Sequence, residues 1–164
     1  MNSPSRTRAE ELLAGVDATS DRYAAVDAAL AEVVGHKLFT LMVIDWSANV
    51  AARVYSNRPE EYPVKGSKPL GALNGWSKHV LEGRRHWIGR NADDIRWAFF
   101  DHETIIALDC ASCLNVPVID NGRVIGTVNL LHEAGWYNEG DVARVTPFAE
   151  LLLPAFREFS GATA

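Results

Sequence analysis

"CLNVPVIDNGRVIGTVNLLHE", residues 113–133, divides at its centre. Apolar and β-branched residues run up to and away from Asp120-Asn121-Gly122, and Asn and Gly tolerate the positive φ that a tight hairpin turn demands. The stretch is expected to be two antiparallel strands joined by that turn. A pair of this kind commits the sheet it belongs to: strands joined by tight turns build a mainly antiparallel layer, which a domain covers with helices.

The flanks supply such helices. Downstream, "YNEGDVARVTPFAELLLPAFREF" (residues 137–159) places Val142, Val145, Phe148, Leu151, Leu152, Ala155 and Phe159 on one apolar stripe, and Pro147 and Pro154 must kink or restart that helix because each lacks a backbone donor. Near the N-terminus, Thr19, Ser20 and Asp21 offer caps to "RYAAVDAALAEVVG" (residues 22–35). There Tyr23, Val26, Ala29, Leu30, Val33 and Val34 share a face, and Gly35 is a stop. A shorter helix is expected within residues 6–15, after a frayed start over residues 1–5.

Between these ends, residues 37–45 ("KLFTLMVID") read as a buried strand, and residues 50–56 ("VAARVYS") continue antiparallel after the turn-like "WSAN". Residues 57–75 hold Pro59, Pro63, Pro69, Gly66, Gly71 and Gly75 and read as a long loop, a length that is usually functional or mobile. A short helix over residues 76–83 follows, then a strand over 85–89 and helical spacing over 91–101. Asp101 is positioned to cap a helix over 102–112.

The bulk properties exclude several classes. A chain of 164 residues with 48% hydrophobic and 23% charged residues holds one core, without repeats. Residues 1–20 read as an N-terminal tail with a short helix and residues 21–160 as the domain. The formal charge of -5 and scattered basic residues, clustered only at Gly83-Arg84-Arg85, speak against a nucleic-acid partner. No apolar run could span a bilayer and the N-terminus lacks a signal-peptide core, so a cytoplasmic protein without a membrane partner is expected.

The only two cysteines lie in "DCASC", residues 109–113. A redox C-x-x-C stands at a helix N-terminus, whose dipole stabilises a thiolate, whereas this pair follows a helix. The pair alone falls short of a zinc ligand set and the five histidines are dispersed, so no metal is expected. A helix-to-strand junction, a pocket-lining thiol and a reactive thiol stay open.

Residues 111–156, with a small-residue helix end, "LNVPV", a hairpin, "VIGTVNL", an acidic turn and a closing amphipathic helix, resemble the C-terminal half of a GAF domain. Residues 21–88 are compatible in element order. The resemblance implies an α+β fold with a central, mainly antiparallel sheet, terminal helices packed on one face, and a ligand pocket on the other face roofed by the long loop and the helices after it. GAF domains bind cyclic nucleotides, tetrapyrroles, haem, 2-oxo acids, amino acids and other small molecules, and usually regulate an effector. The resemblance thus implies a sensory or regulatory protein that binds a small polar metabolite with no cofactor of its own, acting as a homodimer through its terminal helices.

A second resemblance carries the alternative. "IALDCAS", residues 106–112, is similar to the motif "IACDAAS" of the free methionine-(R)-sulfoxide reductases, single-domain members of the same family. Their catalytic cysteine position holds Leu108 here, Cys110 lies two residues later, and residues 1–109 contain no resolving cysteine. Cys110 is then the candidate nucleophile, for a reductase or another Cys/His-dependent reaction. For ligand contacts the candidates are Trp76, His79, Trp87, Trp97, Asp101, His102, Glu103, Asp109, Cys113, His132 and Glu133, a mix of aromatic walls and convergent polar groups. Trp136 and Tyr137 are further candidate walls. By spacing, His79 lies opposite Trp76 on its helix, and His132 and Glu133 face opposite ways.

Overall fold

A computed structural model of the chain describes residues 9–11, 13, 19–71 and 74–163. Six antiparallel strands form one sheet in the order β3-β2-β1-β6-β5-β4: β1 (Leu38–Asp45), β2 (Val50–Ser56), β3 (Lys65–Pro69), β4 (Trp87–Gly89), β5 (Ser112–Asp120) and β6 (Arg123–His132). The helices are α1 (Thr19–Val33), α2 (Gly75–Ser77, continued by a π-helical turn at Lys78–Glu82), α3 (Ala92–Ala98), α4 (His102–Ala107), α5 (Glu139–Leu151) and α6 (Leu153–Thr163).

The β5–β6 hairpin around Asn121-Gly122 lies inside the sheet, between β1 and β4. Asn121 and Gly122 take φ of 51° and 76°, the pair of positive values that a primed two-residue turn requires, and β5 pairs with β6 from Asp120↔Arg123 to Ser112↔His132. The register slips by one between Val118 and Ile119, so Val118 faces Gly126. β1 then pairs with the free edge of β6, Thr40 opposite Asn129 and Met42 opposite Thr127.

Because side chains alternate along a strand, this register sorts the sheet into two faces. Phe39, Leu41 and Val43 of β1, Leu114, Val116 and Val118 of β5, and Val128 and Leu130 of β6 join one buried cluster. It takes in Tyr23, Val26 and Leu30 of α1, Val145 and Phe148 of α5, and Phe156 of α6. Burying a side chain such as Phe39, Phe148 or Phe156, each 1% exposed or less, stabilises the fold by about 1.5–3 kcal/mol. Ala9 and Leu13 are buried in the same cluster.

On the other face, α2, α3 and α4 stand off from the sheet over two smaller clusters. One contains Leu38, Ile95, Ile105, Cys110, Cys113 and Leu131; the other contains Ile44, Trp76, Val80, Leu81, Ala98 and Val124.

Four expectations change. Residues 57–75 contain an edge strand, β3, paired with β2 at Val50↔Pro69 and Ala51↔Lys68; Pro69 is tolerated at such an edge, where no partner needs its missing N–H. Asp101 makes no side-chain cap, its carboxylate being held instead by Tyr62. The closing helix restarts as expected at Pro154, which sits in the first turn of α6 where a backbone donor is not required, but Pro147 is accommodated inside α5. α1 takes in Thr19, Ser20 and Asp21, the expected caps, as helical residues. The frayed start and most of the helix expected over 6–15 lie outside the described residues, except 9–11, which are helical.

Candidate functional site

A cavity of about 420 Å³ opens between the sheet face opposite α1, α5 and α6 and the α2–α4 segment. That is within the range of small-molecule sites, roughly 300–1,000 Å³. Its floor comes from three central strands: Thr40 and Met42 of β1, Thr127, Asn129 and Leu131 of β6, and Asn115 of β5. Trp76, Ser77 and Leu81 come from α2 and its π-helical turn, and Ala98, Phe99, Phe100, Asp101 and Ile105 from α3, α4 and their link. Arg53 and Tyr62 close one end.

The π-helical turn is closed by the Gly83 N–H donating to the Lys78 carbonyl at 2.8 Å. Such turns are uncommon and recur beside functional sites. The Asn74 side chain caps α2 by accepting from the Ser77 N–H, and Ser77 returns the bond to the Asn74 backbone. The cap thereby fixes the direction in which Trp76 enters the cavity wall.

A row of polar groups crosses the floor. The Trp76 indole N–H donates to Asn115 Oδ1 at 2.9 Å, Asn115 Nδ2 donates to Asn129 Oδ1 at 2.7 Å, and Asn129 Nδ2 donates to Thr40 Oγ1 at 3.2 Å. Beside the row, Thr127 is 0% exposed and its Oγ1 has no hydrogen-bond partner among the described residues.

At the end wall, the Arg53 guanidinium lies 3.7 Å from the centre of the Tyr62 ring, donates to the Pro63 carbonyl at 2.7 Å, and stands 3.8 Å from Asp101 Oδ2. The Tyr62 hydroxyl donates to the same Asp101 oxygen at 2.6 Å. Burial, then the Asp101 charge, pushes the Tyr62 phenol above its ordinary range, so it remains a donor at neutral pH. Phe100 is 88% exposed although it lines the cavity, which places an apolar ring at the mouth.

Of the residues singled out in the sequence, Trp76 and Asp101 line this cavity. Cys113 lies two residues from Asn115 on the same face of β5, fully buried with Leu38, Ile95 and Leu131, with its thiol donating to Asn115 Oδ1 at 3.3 Å. Cys110 is 1% exposed, packs with Leu38, Ile105 and Leu131, and its thiol points to the Leu108 carbonyl at 3.6 Å. Burial is the main cause that pushes its pKa up to about 11, and it pushes Cys113 further still. Asp109 has φ of 62°, ends α4 in the left-handed conformation common after helices, and is exposed.

The remaining candidates stand elsewhere. Trp87 packs between Trp97 and Phe99, with Trp97 57% exposed on its outer side. His79 bonds the His86 carbonyl at 2.9 Å and lines a separate surface depression with Arg84, Arg85 and His86. His102 and Glu103 begin α4 without lining the cavity. His132 stacks on Trp136 with ring centres 3.7 Å apart and accepts from the Glu133 N–H at 2.8 Å, while the Glu133 side chain is exposed. The Tyr137 hydroxyl donates to the Gly35 carbonyl, tying the segment before α5 to the end of α1.

Arg53, Tyr62, Asn115, Thr127 and Asn129 were not singled out from the sequence, although a signal exists for three of them. Asn115, Thr127 and Asn129 are polar residues at alternate positions in strands whose other positions are apolar. Among the described residues, no group of three or more His, Cys, Asp or Glu is placed to hold a metal ion. No helix among them is long and apolar enough to cross a membrane.

The family model described as "GAF domain" matches residues 20–156. No curated protein matches the chain by sequence. Among solved structures, the GAF domain of a phosphoenolpyruvate-protein phosphotransferase from Coxiella burnetii superposes with a TM-score of 0.73 at 18% identity, over 96% of this chain and 94% of that one. The GAF domain of a two-component sensor histidine kinase from Bacillus halodurans gives a TM-score of 0.70 at 12% identity, over 90% and 99%. Free methionine-R-sulfoxide reductase from Neisseria meningitidis, in complex with its substrate, gives 0.61 at 17% identity, over 100% and 96%. At these identities the likeness concerns the fold.

Proposed function

Because the chain belongs to the GAF domain family, we propose that the cavity over its sheet binds a small polar metabolite and that the protein has a sensory or regulatory role. The observation that carries this reading is the floor of the cavity. Asn115 and Thr127, 1% and 0% exposed, occupy central strand positions where apolar side chains would close the space. Burying polar groups costs free energy unless they are hydrogen-bonded, so a polar floor under an open volume of about 420 Å³ suits a ligand better than a packing layer.

The thiol arrangement supports binding over sulfoxide reduction. A cysteine nucleophile works as the thiolate and needs access to its substrate. Cys110 lines no part of the cavity, is 1% exposed, and has its pKa pushed up to about 11, chiefly by burial.

Native mass spectrometry of gently purified protein tests the proposal. The expected result is a small-molecule adduct that is released on unfolding and, when added back, raises the melting temperature. A protein that carries no adduct and is not stabilised by any member of a broad metabolite library would contradict it.

A further inference from the structure

The polarity of the floor is fixed by one group. An indole N–H can only donate, so the Asn115 atom facing Trp76 is its oxygen, and the atom facing Asn129 is its nitrogen. Asn129 in turn presents oxygen to Asn115 and nitrogen to Thr40. Each amide nitrogen carries two hydrogens, and the row uses one from each. Both residues line the cavity, and each keeps one amide hydrogen outside the row.

Thr127 adds a hydroxyl with no partner. Across the sheet its paired neighbours are Met42 and Pro117, a thioether and a ring without donors. Its Oγ1 is buried and unsatisfied although Thr127 lines the cavity.

The charge pattern narrows the occupant further. Arg53 and Asp101 are the charged lining residues, of opposite sign, 3.8 Å apart, and Asp101 also holds Tyr62. An ionic ligand would have to compete with that pair, in which each charge already has a partner of opposite sign. Trp76, Phe99 and Phe100 offer ring surfaces to a flat body.

From these observations, and resting on the binding role argued above, we propose that the cavity selects a neutral, planar, ring-bearing molecule whose amide-carbonyl or ring-nitrogen acceptors face Thr127, Asn129 and Asn115.

A matched series on the full chain tests this: toluene, benzoate, benzylammonium, benzamide and nicotinamide, titrated by NMR with shifts read at the cavity residues. Benzamide and nicotinamide should bind about tenfold more tightly than the other three, the scale of one well-made hydrogen bond. Thr127→Val keeps the shape and removes the hydroxyl. It should weaken both amides about tenfold without lowering the melting temperature of the free protein, because the lost group has no partner there, and Thr127→Ser should restore most of the affinity. Benzoate or benzylammonium binding as well as benzamide, or benzamide binding unchanged in Thr127→Val, would overturn the ligand class while leaving cavity binding intact. Failure of all five probes to perturb the cavity would likewise overturn the ligand class, while the binding reading is decided separately by the native adduct. The comparison among probes on the unmodified protein stands whether or not the variants fold.

Discussion

At pH 7, Cys110 should be alkylated by iodoacetamide about a hundredfold more slowly than an unhindered cysteine, before any steric protection is counted. The magnitude follows from its surroundings. Leu38, Ile105 and Leu131 pack around the thiol, and burial is the largest cause raising its pKa from 9.0 to about 11. Two pH units lower the thiolate fraction at neutral pH about a hundredfold, and only the thiolate attacks. Lys37 and Arg58 pull the pKa the other way but do not prevail. Timed labelling followed by peptide mass spectrometry measures the rate at each cysteine, with a denatured sample as the unhindered reference. Cys113, fully buried, should be slower still. Labelling of native Cys110 as fast as in the denatured chain would refute the reasoning and restore thiol catalysis as the better account of the fold.

The same thiol makes stability depend on pH. Its folded pKa is raised, so between about 9 and 11 the folded state holds a proton that the unfolded chain releases; the stabilisation is complete below about 9 and is lost as pH rises through about 11. Urea midpoints for the parent and Cys110→Ala should show a shallower alkaline decline in the variant. Gly126→Ala should destabilise by about 1–3 kcal/mol in the same assay, because its Cβ would meet the Met42 carbonyl and the Phe156 ring, and backbone cannot yield. Trp76→Phe removes one of the two donors to Asn115 Oδ1, the Cys113 thiol remaining, and should cost about 0.5–1.5 kcal/mol; an unchanged midpoint would show that the floor row is not anchored there.

Some of this was legible in the sequence for physical reasons. Asn121 and Gly122 announce their turn because few residues accept positive φ, and the apolar stripe of α5 and α6 has to find a sheet to cover. β3 was hidden because "KGSKP" has none of the β-branched or aromatic residues that mark strands and forms only through pairing with β2. The floor was hidden by register. Counting back from Asp120↔Arg123 without a slip pairs Asn115 with Val128; the irregularity at Val118/Ile119 shifts it onto Asn129 and creates the amide row. Arg53 and Tyr62 meet only because the segment carrying β3 folds back along β2, so nothing local in the sequence announces their contact.

The account stands or falls on the cavity above β1, β6 and β5. A crystal structure of protein purified without unfolding, with its cell-derived ligand retained, measures it most directly. The account predicts continuous non-protein density between Trp76 and the sheet, within hydrogen-bonding reach of Thr127 Oγ1. Density showing that space closed by the protein's own side chains would contradict it.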